Sequence, residues 1–342
     1  MSISAVIYGC AGLALSAEEK QFFHRADPLG FILFARNCKE PAQVKALVGE
    51  LRACVGRAEA PVLIDQEGGR VQRLKPPQWR QAPTPRSIGD LFRADPGAGR
   101  EAARLNALLI AADLRALDID VDCVPCLDVP VPGAHDVIGD RAFALDAAVV
   151  AELGRVVADT MIAAGILPVI KHMPGHGRAG ADSHFELPMV DAGALELQRS
   201  DFLPFKALAA MPLGMTAHVL YRAIDSQRAG TLSPTVIGQM VRGWIGFDGL
   251  LLCDDLSMQA LGGSLPERMT QALAAGCDVV LHCNGQMAEM AQIAAAAPPL
   301  AAAGQERWRR ARRLIAAPAA LPSAQRLATV RQRLDALLAG TS

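Results

Sequence analysis

The sequence predicts an α/β fold in which eight parallel strands close into one barrel, with a helical extension at the C-terminal end. Three observations carry that expectation. Short apolar, β-branched runs recur eight times, stretches of helical periodicity separate them, and ionisable residues gather where the runs end. Continuously apolar runs such as Gly30-Phe31-Ile32-Leu33-Phe34 and Gly249-Leu250-Leu251-Leu252-Cys253 suit parallel strands covered on both faces. Alternation of such strands with helices favours a (β/α)8 barrel of the TIM type over a doubly wound open sheet.

The strands are expected at Ala5–Tyr8, Phe31–Ala35, Val62–Asp65, Ile119–Val124, Leu167–His172, Gly214–His218, Leu250–Asp254 and Asp278–Cys283. Between them, Ser16 with Glu19 three residues on reads as a capping box, and Pro41–Arg52 opens on a proline suited to the first helical turn. Arg100–Leu117, Asp146–Ala164, Ala194–Ala209 and Pro234–Ile245 carry apolar residues at three- and four-residue spacing. The last section, about 286–342, is rich in Ala and Arg and reads as wholly helical. Its Arg309-Arg310-Ala311-Arg312-Arg313 run is read as a solvated helix face rather than a nucleic-acid patch. With no internal repeat and no linker, residues 1–342 are read as one catalytic barrel domain, the extension included.

A formal net charge of −1 gives no field for collecting nucleic acid or anionic membrane, and no apolar stretch reaches the roughly 20 residues that cross a bilayer. Ile7-Tyr8-Gly9-Cys10 loosely resembles a lipoprotein cleavage box, but nine residues without a basic group precede Cys10, so the segment is read as the first buried strand. The eight cysteines sit mostly in apolar runs, as small hydrophobes do. Cys123-Val124-Pro125-Cys126 lacks a second ligand pair for zinc and opens no helix for redox work, so a structural role is expected. Reduced cysteines agree with a cytoplasmic setting.

Chemistry is expected at the strand ends, where barrel loops begin. Strand three runs into Asp65-Gln66-Glu67-Gly68-Gly69-Arg70, with Arg73 close behind; Gly139-Asp140-Arg141 follows strand four; Lys171-His172 ends strand five, His218 ends strand six and Asp254-Asp255 ends strand seven. Asp254 follows four apolar residues. It serves either as a nucleophile toward an anomeric carbon or, like Asp255, as a helix cap, and both readings stand. His172 and His176 are spaced as metal ligands on a helix would be, but Pro174 and Gly175 between them break any helix, so hydrogen bonding to hydroxyls is the more natural role. In Asp182-Ser183-His184, inside a glycine- and alanine-rich loop, an Asp two residues before a His can accept its ring N–H and fix its tautomer; the alternative is a surface histidine in a mobile loop.

Pro61-Val62-Leu63-Ile64-Asp65-Gln66-Glu67-Gly68-Gly69-Arg70-Val71-Gln72-Arg73-Leu74, Lys171-His172-Met173-Pro174-Gly175-His176-Gly177, Asp182-Ser183-His184 and Cys253-Asp254-Asp255-Leu256-Ser257-Met258 together resemble the β-N-acetylhexosaminidases of glycoside hydrolase family 3, and among them the bacterial cytosolic enzymes of cell-wall recycling. The likeness spans about residues 5–285. It implies a retaining exo-β-N-acetylglucosaminidase acting through a covalent glycosyl-aspartate on Asp254. His184 would be general acid and base oriented by Asp182, and Asp65, Arg73, Arg141, Lys171 and His172 would bind the sugar. No metal or other cofactor is implied. The implied partner is a small molecule, a muropeptide or amino-sugar disaccharide such as N-acetylglucosamine linked to anhydro-N-acetylmuramic acid, with the protein a cytoplasmic monomer. Met173, Cys253 and the Ala229-Gly230-Thr231-Leu232-Ser233 segment depart from the family's usual residues without removing a catalytic group. The rival readings are a β-N-acetylglucosaminide phosphorylase and a non-catalytic barrel that binds amino sugars.

Overall fold

The computed structural model describes residues 2–183 and 185–340. Strands β1 (Ser4–Gly9), β2 (Pro28–Leu33), β3 (Val62–Ile64), β4 (Val121–Asp122), β5 (Leu167–Met173), β6 (Leu213–Thr216), β7 (Leu250–Asp255) and β8 (Val279–His282) pair in parallel, in chain order, and β8 closes on β1. Closure excludes the open sheet. All eight strands lie where the apolar runs placed them, and the differences are at their ends. β2 stops at Leu33 because Phe34 N–H turns to Asn37 Oδ1 (3.0 Å), while Asn37 Nδ2 donates to Cys10 O (3.1 Å) and Gly12 O (2.8 Å). β4 keeps just two paired residues of the six expected, since the chain turns through Pro125, which has no N–H to donate.

The outer layer contains α1 (Ala17–Ala26), α2 (Pro41–Val55), α3 (Pro85–Ala94), α4 (Pro96–Ala116), α5 (Ala147–Ala163), α6 (Ala194–Arg199), α7 (Leu203–Ala207), a wide-turn helix at Val236–Ile245, α8 (Leu265–Ala275), α9 (Met287–Ala296), α10 (Ala302–Leu314) and α11 (Ala324–Ala339). Ser16 and Glu19 form the expected capping box on α1. The single helix expected over Ala194–Ala209 is two. Its break falls at Ser200–Phe202, where buried Asp201 turns to Arg178 Nε (2.7 Å), and Pro204 starts a fresh first turn. The C-terminal section is likewise not one continuous helix: Pro298 and Pro299 divide α9 from α10, and Pro318 and Pro322 fall between α10 and α11. Two short ribbons had no sequence signal, one antiparallel (Gln66–Gly68 with Val71–Gln72) and one parallel (Met189–Val190 with Leu220–Tyr221). No helix among the described residues is long and apolar enough to cross a membrane.

Strand side chains alternate between two cores. Val6, Tyr8, Phe31, Leu33, Val62, Ile64, Leu251, Cys253 and Val280 face the helices. Ala5, Ile7, Leu63, Leu167, Val169, Leu213, Met215, Leu250, Leu252, Val279 and Leu281 fill the barrel. That inner core continues into Leu300 and into Trp308, Ala311 and Ile315, so α10 plugs the bottom of the barrel with one apolar face. Its arginines hold the plug in place. Arg307 pairs with Asp248 (3.1 Å) and Asp278 (2.8 Å), and Arg312 with Asp120 (2.7 Å), which also pairs with Arg52 and accepts the Val62 N–H. Arg310 also meets Asp248 (3.0 Å), so the Arg309–Arg313 run is in part an anchor to the acidic residues ahead of β4 and β7, and Arg307 serves the one ahead of β8.

Because Trp308 is 9% exposed inside the plug, Trp308→Ala is expected to lower stability by about 3–5 kcal/mol. Arg309→Ala, at a solvent-exposed pair with Glu306, should change it by less than about 0.5 kcal/mol. Guanidinium unfolding of both variants measures the contrast, and similar losses would mean that α10 does not close the barrel through its apolar face.

Candidate active site

The parity that builds the inner core also aims the chemistry. Leu63 faces inward, so Asp65 does; Val169 leads to Lys171 and Leu252 to Asp254. His172 falls out of that parity, beside a cis Lys171–His172 peptide, and lines the same space. Asp65, Arg73, Arg141, Lys171, His172 and Asp254 line one cavity of about 230 Å³ at the C-terminal mouth of the barrel, with Phe34, Val71, Met215 and Met258 as apolar wall. Asp182 lies half-buried in the loop after β5, and His184 lies outside the described residues.

Lys171 is the hub of the charged groups. Its buried ammonium donates to Asp65 Oδ1 and is paired with Glu67 Oε1, each at 2.7 Å. Arg73 Nη2 donates to Asp65 Oδ2 (2.9 Å), and Arg141 grips Glu67 with both Nε (2.9 Å) and Nη2 (2.8 Å). Burial alone would raise the Asp65 and Glu67 carboxyls; Lys171 and Arg73 pull Asp65 well below the usual carboxylate range, and Arg141 and Lys171 pull Glu67 down to about 2. The same burial disfavours a charged Lys171, but the two carboxylates more than offset it and raise its pKa. Three cations against two carboxylates leave one positive charge, which Asp254 balances. Burial pushes the Asp254 carboxyl up, and the imidazoles of His218 and His172, the Asp255 N–H and Lys171 bring it below its ordinary value. Asp254 is therefore ionised at neutral pH.

The adjacent acid has different work. Asp255 Oδ1 accepts the N–H groups of Ser257 (3.0 Å) and Cys283 (3.2 Å), and Oδ2 the Ser257 hydroxyl (2.6 Å), tying β7 to β8. Neither Asp caps the next helix. That task falls to Ser264 with Glu267, at the start of α8.

Two histidines are held from behind. His172 Nδ1 lies 2.7 Å from Asp128 Oδ2; since burial would raise Asp128 but His172 and His176 hold it well below the usual range, the carboxylate accepts and Nδ1 carries the hydrogen. That commits Nδ1 and leaves Nε2 as the ring atom available to a ligand. His218 Nε2 sits 3.0 Å from Asp255 O, a pure acceptor, so Nε2 carries a hydrogen; burial lowers the ring's pKa, and Nδ1 lies 2.8 Å from Thr231 Oγ1, which donates to Ala217 O (3.1 Å). Thr216 Oγ1, 2.8 Å from Thr231 Oγ1, completes that chain as donor.

The sequence reading passed over Glu67, Asp128, Thr231 and Asp122. Glu67 was readable, standing two residues past Asp65 in the same motif. Asp128 follows the Cys-x-x-Cys without any local pattern. Asp122, fully buried, accepts the Gln66 N–H (2.9 Å), and burial raises its pKa well above the ordinary value.

Among the described residues, Cys126, Asp128 and His172 form the one group placed as metal ligands are. Its atoms already satisfy one another. Cys126 Sγ donates to Asp128 Oδ2 (3.2 Å), burial holds that thiol protonated, and Asp128 Oδ1 accepts the N–H groups of His172 (3.2 Å) and His176 (2.7 Å). A cation there would have to expel the protons that make these bonds. All eight cysteines are free.

With this geometry in hand, comparison with known proteins gives a consistent result. The glycosyl hydrolase family 3 N terminal domain matches residues 9–317. A β-hexosaminidase of Bordetella avium is 38% identical over 285 residues, covering 82% of this chain and 80% of that one. Another, of Thiobacillus denitrificans, is 39% identical over 292 residues, covering 83% and 79%. Among solved structures, NagZ from Neisseria gonorrhoeae in complex with N-trifluoroacetyl-D-glucosamine superposes with a TM-score of 0.86 at 30% identity, covering 100% of this chain and 98% of that one.

Removing one carboxylate from this arrangement strands buried cations, so Glu67→Gln is expected to cost about 3–5 kcal/mol at pH 7. Glu67 titrates at about 2 in the fold against an ordinary 4.5, so its contribution is fully present above pH 4.5 and is lost as pH falls toward 2. Urea unfolding at pH 7 and pH 3 should therefore show a smaller gap between wild type and Glu67→Gln at the lower pH; a gap that does not narrow would contradict the ion-pair account.

Proposed function

Because this chain belongs to glycosyl hydrolase family 3, we propose that the cavity at the barrel mouth is its glycosidase site, with Asp254 as the nucleophile of a retaining β-N-acetylglucosaminidase. The observation that carries the reading is an ionised carboxylate at the inward-facing end of β7, in a cavity walled by paired polar groups. A volume of about 230 Å³ lies below the roughly 300–1,000 Å³ of drug-sized ligand sites, a scale that suits a single sugar ring. The relatives' hexosaminidase activity and the amino-sugar complex of the gonococcal structure support a 2-acetamido ring.

In this reading Asp65, Lys171, Arg73, Arg141 and His172 Nε2 hold the hydroxyls and acetamido group of N-acetylglucosamine. Asp254 attacks C1, the C1–O bond breaks, and the leaving oxygen takes a proton from His184, whose ring Asp182 orients. Water then gives a proton back to His184 and attacks C1, releasing Asp254 and the sugar with its configuration retained. A histidine, with a reference pKa of about 6.5, needs no large shift to play both parts near neutral pH, and adds no negative charge beside Asp254. The substrate proposed is a terminal non-reducing N-acetylglucosamine on a peptidoglycan fragment, linked to anhydro-N-acetylmuramic acid with or without peptide. Residues 1–342 act in it as one catalytic barrel domain, with 286–342 as its helical extension.

Brief incubation with 5-fluoro-N-acetylglucosaminyl fluoride should add one glycosyl mass to wild type and none to Asp254→Ala, whose kcat should fall by about 10⁴-fold or more. NMR of the first product should show the β-anomer, as free sugar rather than sugar 1-phosphate in phosphate buffer. The α-anomer would sink the nucleophile assignment. His184→Ala should lose turnover of a phenyl N-acetyl-β-glucosaminide by about 10²–10⁴-fold across pH 5–8; undiminished turnover would remove His184 from the mechanism.

A further inference from the structure

The loop after β5 leaves the barrel through a rigid stem. Gly177 packs so closely against the β4 loop that a Cβ there would lie 2.1 Å from Val129 O, and the Tyr221 hydroxyl holds Gly175 O at 2.8 Å. Within this stem His176 is buried and anchored to the sugar-binding side: its N–H donates to the same Asp128 oxygen that accepts the His172 N–H, and the two rings meet edge to face at 5.7 Å. Further along, a Cβ added at Gly180 would meet open space. The loop then returns, and buried Ser183 meets His176 again: Nε2 and Oγ are 3.1 Å apart. The Ser183 carbonyl accepts the Ala260 N–H (3.2 Å) from the segment that follows Asp254. Burial, with His172 nearby, brings His176 down to about 4, so the ring is neutral when it makes this bond.

We propose that His176 and Ser183 form a latch that positions the Asp182–His184 segment over the cavity, so that His176, otherwise a plain stem residue, governs the delivery of the proton. The proposal rests on the reading of the preceding subsection. It assigns His176 no contact with substrate. It acts on the loop through Ser183, while its N–H on Asp128 and its ring against His172 keep the latch in register with the sugar site.

A positioning role in acid catalysis is separable from a packing role by leaving group, because a very acidic phenol departs without protonation and an alcohol does not. The test measures kcat/KM, which reports the first displacement, for 2,4-dinitrophenyl and methyl N-acetyl-β-glucosaminides on the whole chain. Ser183→Ala and His176→Leu should lower the value for the methyl glycoside by about 10–100-fold and that for the dinitrophenyl glycoside by less than about 3-fold. His176→Gln, whose amide nitrogen reaches the place of Nε2, should recover most of the loss. Equal losses on both substrates, or none on either, would overturn the latch while leaving the glycosidase reading intact. Should His176→Leu fail to fold, Ser183→Ala, which removes one oxygen, decides alone. Absence of wild-type turnover on both substrates would overturn the glycosidase reading and the latch with it.

Discussion

The mouth of this barrel is organised around one ammonium group kept out of water. A buried lysine is tolerable where opposite charges sit at contact distance, and Lys171 has two, on Asp65 and Glu67. Each carboxylate has a further lone pair to satisfy, and Arg73 and Arg141 do so. The loops after β3 and β4 are thereby tied to the end of β5 by one set of contacts. Because these groups already bind one another, they stand in place before any ligand arrives, which lowers the ordering cost of binding. Burial of Asp122 beneath them holds its carboxyl well above the ordinary value, which disfavours a further negative charge there.

The opposite end of the barrel meets a different demand. Eight strands that point apolar side chains inward leave an open floor, and Trp308 and Ala311 of α10, with Ile315 just past its end, fill it. The acidic residues Asp120, Asp248 and Asp278 precede the strands they guard, and arginines of α10 meet them there. Apolar contact supplies most of the attraction, and the ion pairs set the helix's orientation. The division follows the general arrangement of such barrels, with stability at one end and chemistry at the other.

How much of this was readable beforehand depends on the range of the interaction. The strands were, because a parallel strand covered on both faces must be apolar throughout. Asp65, Lys171 and Asp254 were readable as cavity residues from period-two alternation alone, each lying two positions past an inward-facing apolar side chain. Glu67 was legible by the same count and passed over. His172 defies the count, and Asp128 carries no local mark of its role, since its four partners come from Cys126 and from two residues of another strand and its loop. The break in the Ala194–Ala209 helix was hidden for a similar reason: it depends on Asp201 meeting Arg178, a contact over 23 positions that periodicity does not register. Proline, by contrast, was a local signal available for the interruptions at 298–301 and 315–323.

The pairing inside the mouth also shapes how molecules reach it. The three cations and three carboxylates gathered there carry no net charge between them, and the chain as a whole carries a formal charge of −1. Such a site does not draw ions from a distance or gather them on its rim. Its selection rests on contact geometry, and arrivals follow unassisted diffusion whose frequency varies little with ionic strength.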